Sequence, residues 1–210
     1  IHDHDIVADE TWYPSGNPHY VTQGIAVGSY DGAKLTIMPG CLVKFYTTTN
    51  ASAGLLIGNT VPGELIAVGK PDSLITFTSN AATPAPGDWY GIRFTSGNRP
   101  TSRLSYCVID YGGTANGGAV ECSWGASANV DHCTIRNSAG NGIITIDHDG
   151  RVTNFTGNTI TNNAKYPLDA YCNNVRHLGT GNVLTGNGLD CILIYGRGID
   201  SSGTWLKHSV

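Results

Sequence analysis

A loose repeat of about 25 residues is the feature that most limits what this chain can fold into, because a period of this length is typical of repeat proteins, in which each repeat forms one structural unit. Three segments can be laid over one another: Cys133-Thr134-Ile135-Arg136-Asn137, Asn158-Thr159-Ile160-Thr161-Asn162 and Asn182-Val183-Leu184-Thr185-Gly186. Their central apolar residues recur at nearly equal steps, and Ile109 stands one such step before Ile135.

A second short apolar strand recurs at a similar spacing. Its copies are Ala119-Val120-Glu121-Cys122, Ile143-Ile144-Thr145-Ile146, Leu168-Asp169-Ala170-Tyr171 and Ile192-Leu193-Ile194-Tyr195. No helical pattern separates these strands, so they cannot form a sheet of βαβ units. The sequence instead predicts an all-β solenoid, a parallel β-helix whose strands pair with their equivalents about 4.8 Å away in the next coil.

In such a stack, equivalent side chains form ladders. We expect Ile109, Ile135, Ile160 and Leu184 to form an inward aliphatic ladder. At a corner of the coils, Asn137 and Asn162 should stack and bond to each other. The composition agrees with strands and turns, because the chain has 28 glycines and only 13% charged residues.

Several motifs resemble those of secreted bacterial and archaeal parallel β-helix repeat proteins. They are Trp12 to Val21, Leu35-Thr36-Ile37-Met38-Pro39-Gly40-Cys41-Leu42-Val43-Lys44-Phe45, Gly63 to Gly69, Ile75-Thr76-Phe77-Thr78-Ser79, Gly87-Asp88-Trp89-Tyr90-Gly91-Ile92-Arg93-Phe94 and Leu104 to Gly113. The resemblance covers nearly the whole chain in order. It implies a right-handed parallel β-helix of roughly seven coils with an N-terminal cap, and it implies little about activity because the motifs are architectural.

The residue types in these motifs also predict local structure without the resemblance. Met38-Pro39-Gly40 should be a turn between two strands, with proline presetting φ and glycine free to take a positive φ. Trp12 and Trp89 are large enough to seal an end of the apolar core.

The two ends of the chain lack the repeat. We expect residues 1–34 to form the N-terminal cap, residues 35–200 the β-helix, and residues 201–210 a tail. The tail contains Thr204-Trp205, which repeats Thr11-Trp12 near the start. The tail therefore begins a new block of a tandem array, docks on the next subunit in head-to-tail growth, or folds back over the last coil.

Four residues follow from this as candidates for an end-to-end contact. They are Trp12, Thr204, Trp205 and Leu206.

The chain has six cysteines and no CxxC pair, which argues against zinc-ribbon and thioredoxin-like sites. An even number suits an oxidising compartment. Cys107 and Cys133 occupy equivalent places two residues before their ladder residues. Adjacent coils bring them within disulfide range, so a disulfide and stacked thiols are both open interpretations.

Acidic residues are scattered rather than clustered, so no catalytic residue, metal ligand or cofactor is assigned. Asp110 and Arg136 should form an ion pair across two coils. The segment Asp147 to Gly150 has the opening of a calcium loop without its later ligands, which favours a turn. His2-Asp3-His4-Asp5 contains metal-binding side chains, but a solvated terminal strand is favoured.

Charge and hydropathy exclude other classes of function. A net charge of −4 leaves no basic stripe for nucleic acid, and no apolar run approaches the roughly 20 residues that a membrane helix needs. With the family resemblance and the cysteine count, this places the chain outside the cell or on its surface.

Two functions of different classes fit this sequence. The favoured one is a non-enzymatic extracellular structural solenoid, a surface-protein repeat or a filament or adhesin subunit that associates with itself head to tail. The alternative is a carbohydrate-binding or polysaccharide-degrading module with extracellular polysaccharide as its partner. That alternative rests on fold analogy and on tyrosines such as Tyr171 and Tyr195, which should share one face.

Overall fold

The computed structural model describes residues 1–47, 53–147, 149–196 and 198–208. Its strands form three parallel sheets, and each of the first six turns contributes one strand to each sheet in the same order. The first sheet contains β1 (Glu10–Trp12), β4 (Ala33–Ile37), β7 (Gly63–Val68), β10 (Arg103–Ser105), β13 (Ser127–Asp131) and β16 (Arg151–Thr156). The second sheet contains β2 (His19–Val21), β5 (Leu42–Phe45), β8 (Ile75–Ser79), β11 (Cys107–Asp110), β14 (Thr134–Arg136) and β17 (Thr159–Thr161).

The third sheet is the longest. It contains β3 (Gly24–Val27), β6 (Gly54–Ile57), β9 (Ile92–Phe94), β12 (Gly118–Cys122), β15 (Asn141–Thr145), β18 (Leu168–Tyr171) and β19 (Ile192–Tyr195). A short 3₁₀ helix, Cys172–His177, follows β18. The chain is therefore a parallel β-solenoid of about seven turns, as the repeat predicts. Its right-handedness stays a prediction.

The inward ladder is confirmed by the strand register. Ile109 pairs with Ile135, and Ile135 pairs with Ile160. Leu184 follows the bridge between Thr159 and Val183, and all four ladder residues are fully buried. Burial of alternate residues along each strand packs these side chains into one continuous core.

The second repeated strand is confirmed in the same way. Val120 pairs with Ile143, Ile143 with Leu168, and Leu168 with Ile192. The predicted turn also forms, because Gly40 has a φ of 84° and the amide of Cys41 donates to the carbonyl of Met38. Glycine reaches this left-handed region without steric cost.

Paired strands already occur within the segment expected to form the N-terminal cap. Strands β1, β2 and β3 all lie within residues 1–34, and each is a member of one of the three sheets. The strands of the three sheets therefore begin at Glu10. His2 and Ile6 precede these strands and bridge to two of them. The division into an N-terminal cap (1–34), a β-helix (35–200) and a tail (201–210) stays a prediction.

Trp89 does not seal an end of the core. Its ring stacks on Phe45 in the middle of the stack, with 4.0 Å between centroids, and its Nε1 donates to the carbonyl of Asp110 at 2.9 Å. An indole can lie in the interior here because its one polar group has a partner.

The asparagine ladders are not where the repeat suggested. Asn137 and Asn162 have φ of 57° and 56°, and Asn137 donates to Asp110 instead of to Asn162. They turn the corner, because asparagine tolerates the left-handed region better than most residues. The ladder that does form joins Asn158 to Asn182, with Nδ2 to Oδ1 at 3.0 Å.

A second ladder of the same kind joins Asn163 to Asn187, with Nδ2 to Oδ1 at 2.9 Å.

Candidate functional site

The carboxyl end of the solenoid exposes apolar residues that earlier coils bury. Ile194 is the register partner of Ala170, which is fully buried, yet 36% of Ile194 is exposed because no further coil covers it. Strand β19 also ends its sheet, so one of its edges has no partner among the described residues. Half of the large apolar side chains that are exposed in the described residues lie here: Val183, Leu189, Ile194, Tyr195, Ile199, Trp205 and Leu206.

The tail lies against this end without joining a sheet. Residues 201–208 form no strand. The amide of Asp200 donates to Asn173 Oδ1 at 3.0 Å, and Arg176 approaches Asp200 at 3.6 Å. Gly203 lies so close to Arg176 that an added side chain would collide with it. The tail therefore packs beside the 3₁₀ helix, which interrupts the first sheet where a seventh strand would stand.

Trp205 and Leu206 remain largely open to solvent, with 49% and 39% of their surfaces exposed. Thr204 is exposed as well. A cavity of about 200 Å³ lies between the tail and the 3₁₀ helix, and Trp205 lines it together with Cys172. Three of the four predicted contact residues thus share one accessible surface.

The fourth, Trp12, lies at the opposite end and is covered. Only 2% of it is exposed, and its Nε1 donates to Glu10 Oε1 at 2.6 Å. His2 stacks on its ring with 4.1 Å between centroids, and His19 follows at 5.2 Å. The role of these four residues in an end contact stays a prediction.

Histidines dominate the electrostatics of the amino end. Burial, and after it the neighbouring His19, lower the pKa of His2 to about 4, although Glu10 acts in the opposite direction. His2 Nε2 lies 3.0 Å from His19 Nδ1, so one of these nitrogens carries the proton they share. His2 is therefore neutral in the folded chain at neutral pH.

The described residues contain no group of three or more histidine, cysteine, aspartate or glutamate side chains placed to bind a metal ion. His2 and His4 each approach Glu10, at 3.7 and 3.8 Å. Of the segment that resembles a calcium loop, Asp147 and Asp149 lie in a turn, and His148 lies outside the described residues.

All six cysteines are described and are free thiols. Cys107 and Cys133 are buried at equivalent positions of β11 and the coil that follows. The Sγ of Cys133 donates to the carbonyl of Asp131 at 3.3 Å. Burial raises the pKa of Cys107 well above its usual range, and its hydrogen bond with Cys133 raises it further. Cys107 is therefore held as a protonated thiol, and burial keeps both side chains away from solvent.

Three arginines on the outer faces of the coils pair with carboxylates one coil away. The pairs are Arg93–Glu121 at 3.3 Å, Arg103–Asp131 at 2.9 Å and Arg136–Asp110 at 2.8 Å. The Asp110–Arg136 pair is thus confirmed. It is more than a surface pair, since Asp110 is buried and also accepts from Asn137.

Asp131 shows the effect of this pairing on acidity. Burial raises the pKa of Asp131, but hydrogen bonds from Ser105, His132 and Arg103 outweigh it and lower the pKa below its ordinary value. A carboxylate held in this way is fixed in its charged form and has no free lone pairs to act as a general base.

Aromatic side chains line part of the third sheet. Arg93 lies over the Tyr90 ring at 4.9 Å, beside a groove of about 340 Å³. Trp124 is 68% exposed beside a neighbouring groove. Tyr171 and Tyr195 are register partners with 5.5 Å between ring centroids, so they share a face as expected. Carbohydrate binding at this surface stays a prediction.

No helix in the described parts of the chain is long and apolar enough to cross a membrane. No protein-family model matches the sequence, and no curated protein or solved structure is significantly similar to it. The resemblance to secreted β-helix repeat proteins is therefore carried by the motifs alone, while strand pairing shows the β-solenoid fold.

Proposed function

We propose that this chain is a non-enzymatic structural module, located outside the cell or on its surface, that associates head to tail through the ends of its solenoid. The observation that carries the proposal is the open carboxyl end, where Ile194 and its neighbours expose core positions. Solenoids need an end cap or a neighbour to cover such surface, because an open strand edge and an exposed core both favour association.

The direction of the strands favours one mode of association. All strands pair in parallel, so the two ends of the stack present edges of the same polarity. An amino end placed on a carboxyl end would continue the sheets in the same parallel pattern. Two like ends would have to pair antiparallel, against the register of every coil within the chain.

The coil faces support a structural role. Their arginine and carboxylate side chains are bonded to each other, as the pair of Arg136 and Asp110 illustrates, and so hold neighbouring coils together. The proposed location rests on the resemblance to secreted repeat proteins.

Sedimentation over a wide range of concentration tests the proposal. We expect the chain to form assemblies whose mass grows with concentration, and electron microscopy should show end-to-end rods. Ile194→Asp should shift assembly to at least about tenfold higher concentration, because a charge would be buried at the junction. Leu74→Asp is the matched control, since Leu74 is 42% exposed in a loop of the third coil and should not alter assembly. A chain that stays monomeric at every concentration would refute the proposal.

A further inference from the structure

The amino end of the solenoid carries an incomplete coil. His2 bridges to Val21 of the second sheet, and Ile6 bridges to Val27 of the third. The amides of His2 and Ile6 donate to the strands beneath them at 2.7 and 2.8 Å. The outer edge of β1, in the first sheet, has no such partner among the described residues. No described residue therefore lies over β1 in this coil.

The tail stands at the point in the sequence where the next strand of the first sheet is expected. In three of the coils the third-sheet strand ends at Val27, Ile57 or Thr145, and the next first-sheet strand begins six residues later, at residue 33, 63 or 151. The same step from Tyr195, the end of β19, leads to residue 201. Residues 201–208 nevertheless form no strand, because the 3₁₀ helix takes the place of the first-sheet strand with which they would pair.

The tail also matches β1 in sequence. Thr204-Trp205 repeats Thr11-Trp12, and in β1 the threonine faces out while the tryptophan faces the core. Equivalent residues stack on each other in a β-solenoid, so the tail could lie over β1 with the same alternation. The ring of His2 already stacks on Trp12, so an aromatic ring that a tail brings over β1 would pack against His2.

The tail and the first ten residues carry opposite charges. The first ten residues carry four carboxylates, those of Asp3, Asp5, Asp9 and Glu10, and no lysine or arginine. Lys207 is exposed on the tail. Opposite charges of this kind guide an encounter in the head-to-tail orientation and disfavour the contact of two like ends.

We propose that the tail of one copy, residues 201–207, adds to the open edge of β1 in a second copy and completes its first coil. This rests on the proposed end-to-end association and names its partner, the amino-terminal coil of an identical chain. The mode is strand addition: backbone hydrogen bonds to β1 give affinity, and the alternate side chains Trp205 and Thr204 fix the register. The junction coil is then built by two chains.

Cross-linking tests the register of this contact. Two preparations are made in a Cys191→Ser background, which removes the one exposed native thiol, with Thr11→Cys in one and Thr204→Cys in the other. Paired strands place equivalent Cα atoms about 5 Å apart, within disulfide range. We expect rapid formation of the mixed disulfide on oxidation. Thr101→Cys, at another exposed threonine, replaces Thr204→Cys in the control and should react far more slowly.

A second variant tests the contribution of the tail to affinity. Trp205→Ala should weaken association by about tenfold or more, because buried tryptophans dominate interfaces. Trp124→Ala, which removes another exposed tryptophan far from both ends, should leave association unchanged. If the chain associates but the Thr11 and Thr204 variants cross-link no faster than the control, or Trp205→Ala has no effect, the strand addition is wrong while end-to-end association stands. If no association occurs, the strand addition and the end-to-end association are both wrong.

Discussion

Replacing Asn158 with alanine tests how the last coils are held together. Its side chain is fully buried and links three coils. Oδ1 accepts from the amide of Cys133 at 2.9 Å, and Nδ2 donates to the carbonyl of Val130 and to Asn182 Oδ1, both at 3.0 Å. The substitution removes all three bonds and leaves the Cys133 and Val130 backbone groups buried without this partner.

The expected cost follows from those two backbone groups. Each buried polar group that loses its partner costs roughly 1–3 kcal/mol, so the loss at two groups should lower the free energy of unfolding of Asn158→Ala by about 2–6 kcal/mol. The oxygen of Asn182 keeps one bond, from the backbone amide of residue 158, and adds little. The effect should be largest in the coils on either side of Asn158.

Urea unfolding followed by circular dichroism measures this loss, and hydrogen exchange locates it. Asn116→Ala is the control, because Asn116 is exposed in a turn and should change stability by less than about 0.5 kcal/mol. If Asn158→Ala costs less than about 1 kcal/mol at an unchanged m-value, the ladder does not stabilise these coils and the reasoning fails.

Two further predictions concern titration and thiol chemistry. Because the pKa of His2 is lowered to about 4 in the folded chain, the unfolded chain takes up its proton first, so stability present above pH 6.5 should be lost as the pH falls from 6.5 toward 4. Thermal unfolding of His2→Phe should show a weaker loss over that range, and an unchanged pH dependence would contradict the burial of this ring. In a thiol assay on the native chain the exposed Cys191 should react quickly, whereas the buried Cys107 and Cys133 should react only in denaturant. Fast reaction of Cys107 or Cys133 in the native chain would contradict their burial.

Much of the fold could be predicted from the repeat because inward residues alternate along each strand and recur at each turn. The ladder through Ile135 and the pair of Asp110 with Arg136 both follow from counting residues between equivalent positions. The tail could be singled out in the same way, from the second Thr-Trp pair at Trp205.

Other features could not be predicted in this way, because side-chain direction depends on where each corner turns. Asn137 and Asn158 are both asparagines of the repeated segments. The first nevertheless turns a corner with a positive φ, whereas the second lies inside the core. Trp89 looked suited to an end of the stack, but the register places it beside Phe45 in the middle.

The repeat is enough to predict that the chain coils, since a short period with two apolar strands in each repeat can bury its core only by stacking. The tertiary structure alone decided which surfaces stay open. Whether a strand has a partner depends on what lies one coil away. At the carboxyl end, the 3₁₀ helix at Cys172–His177 replaces the strand with which the tail would pair. At the amino end, the residues before Glu10 bridge to two of the three sheets. The open ends arise from these two details of packing.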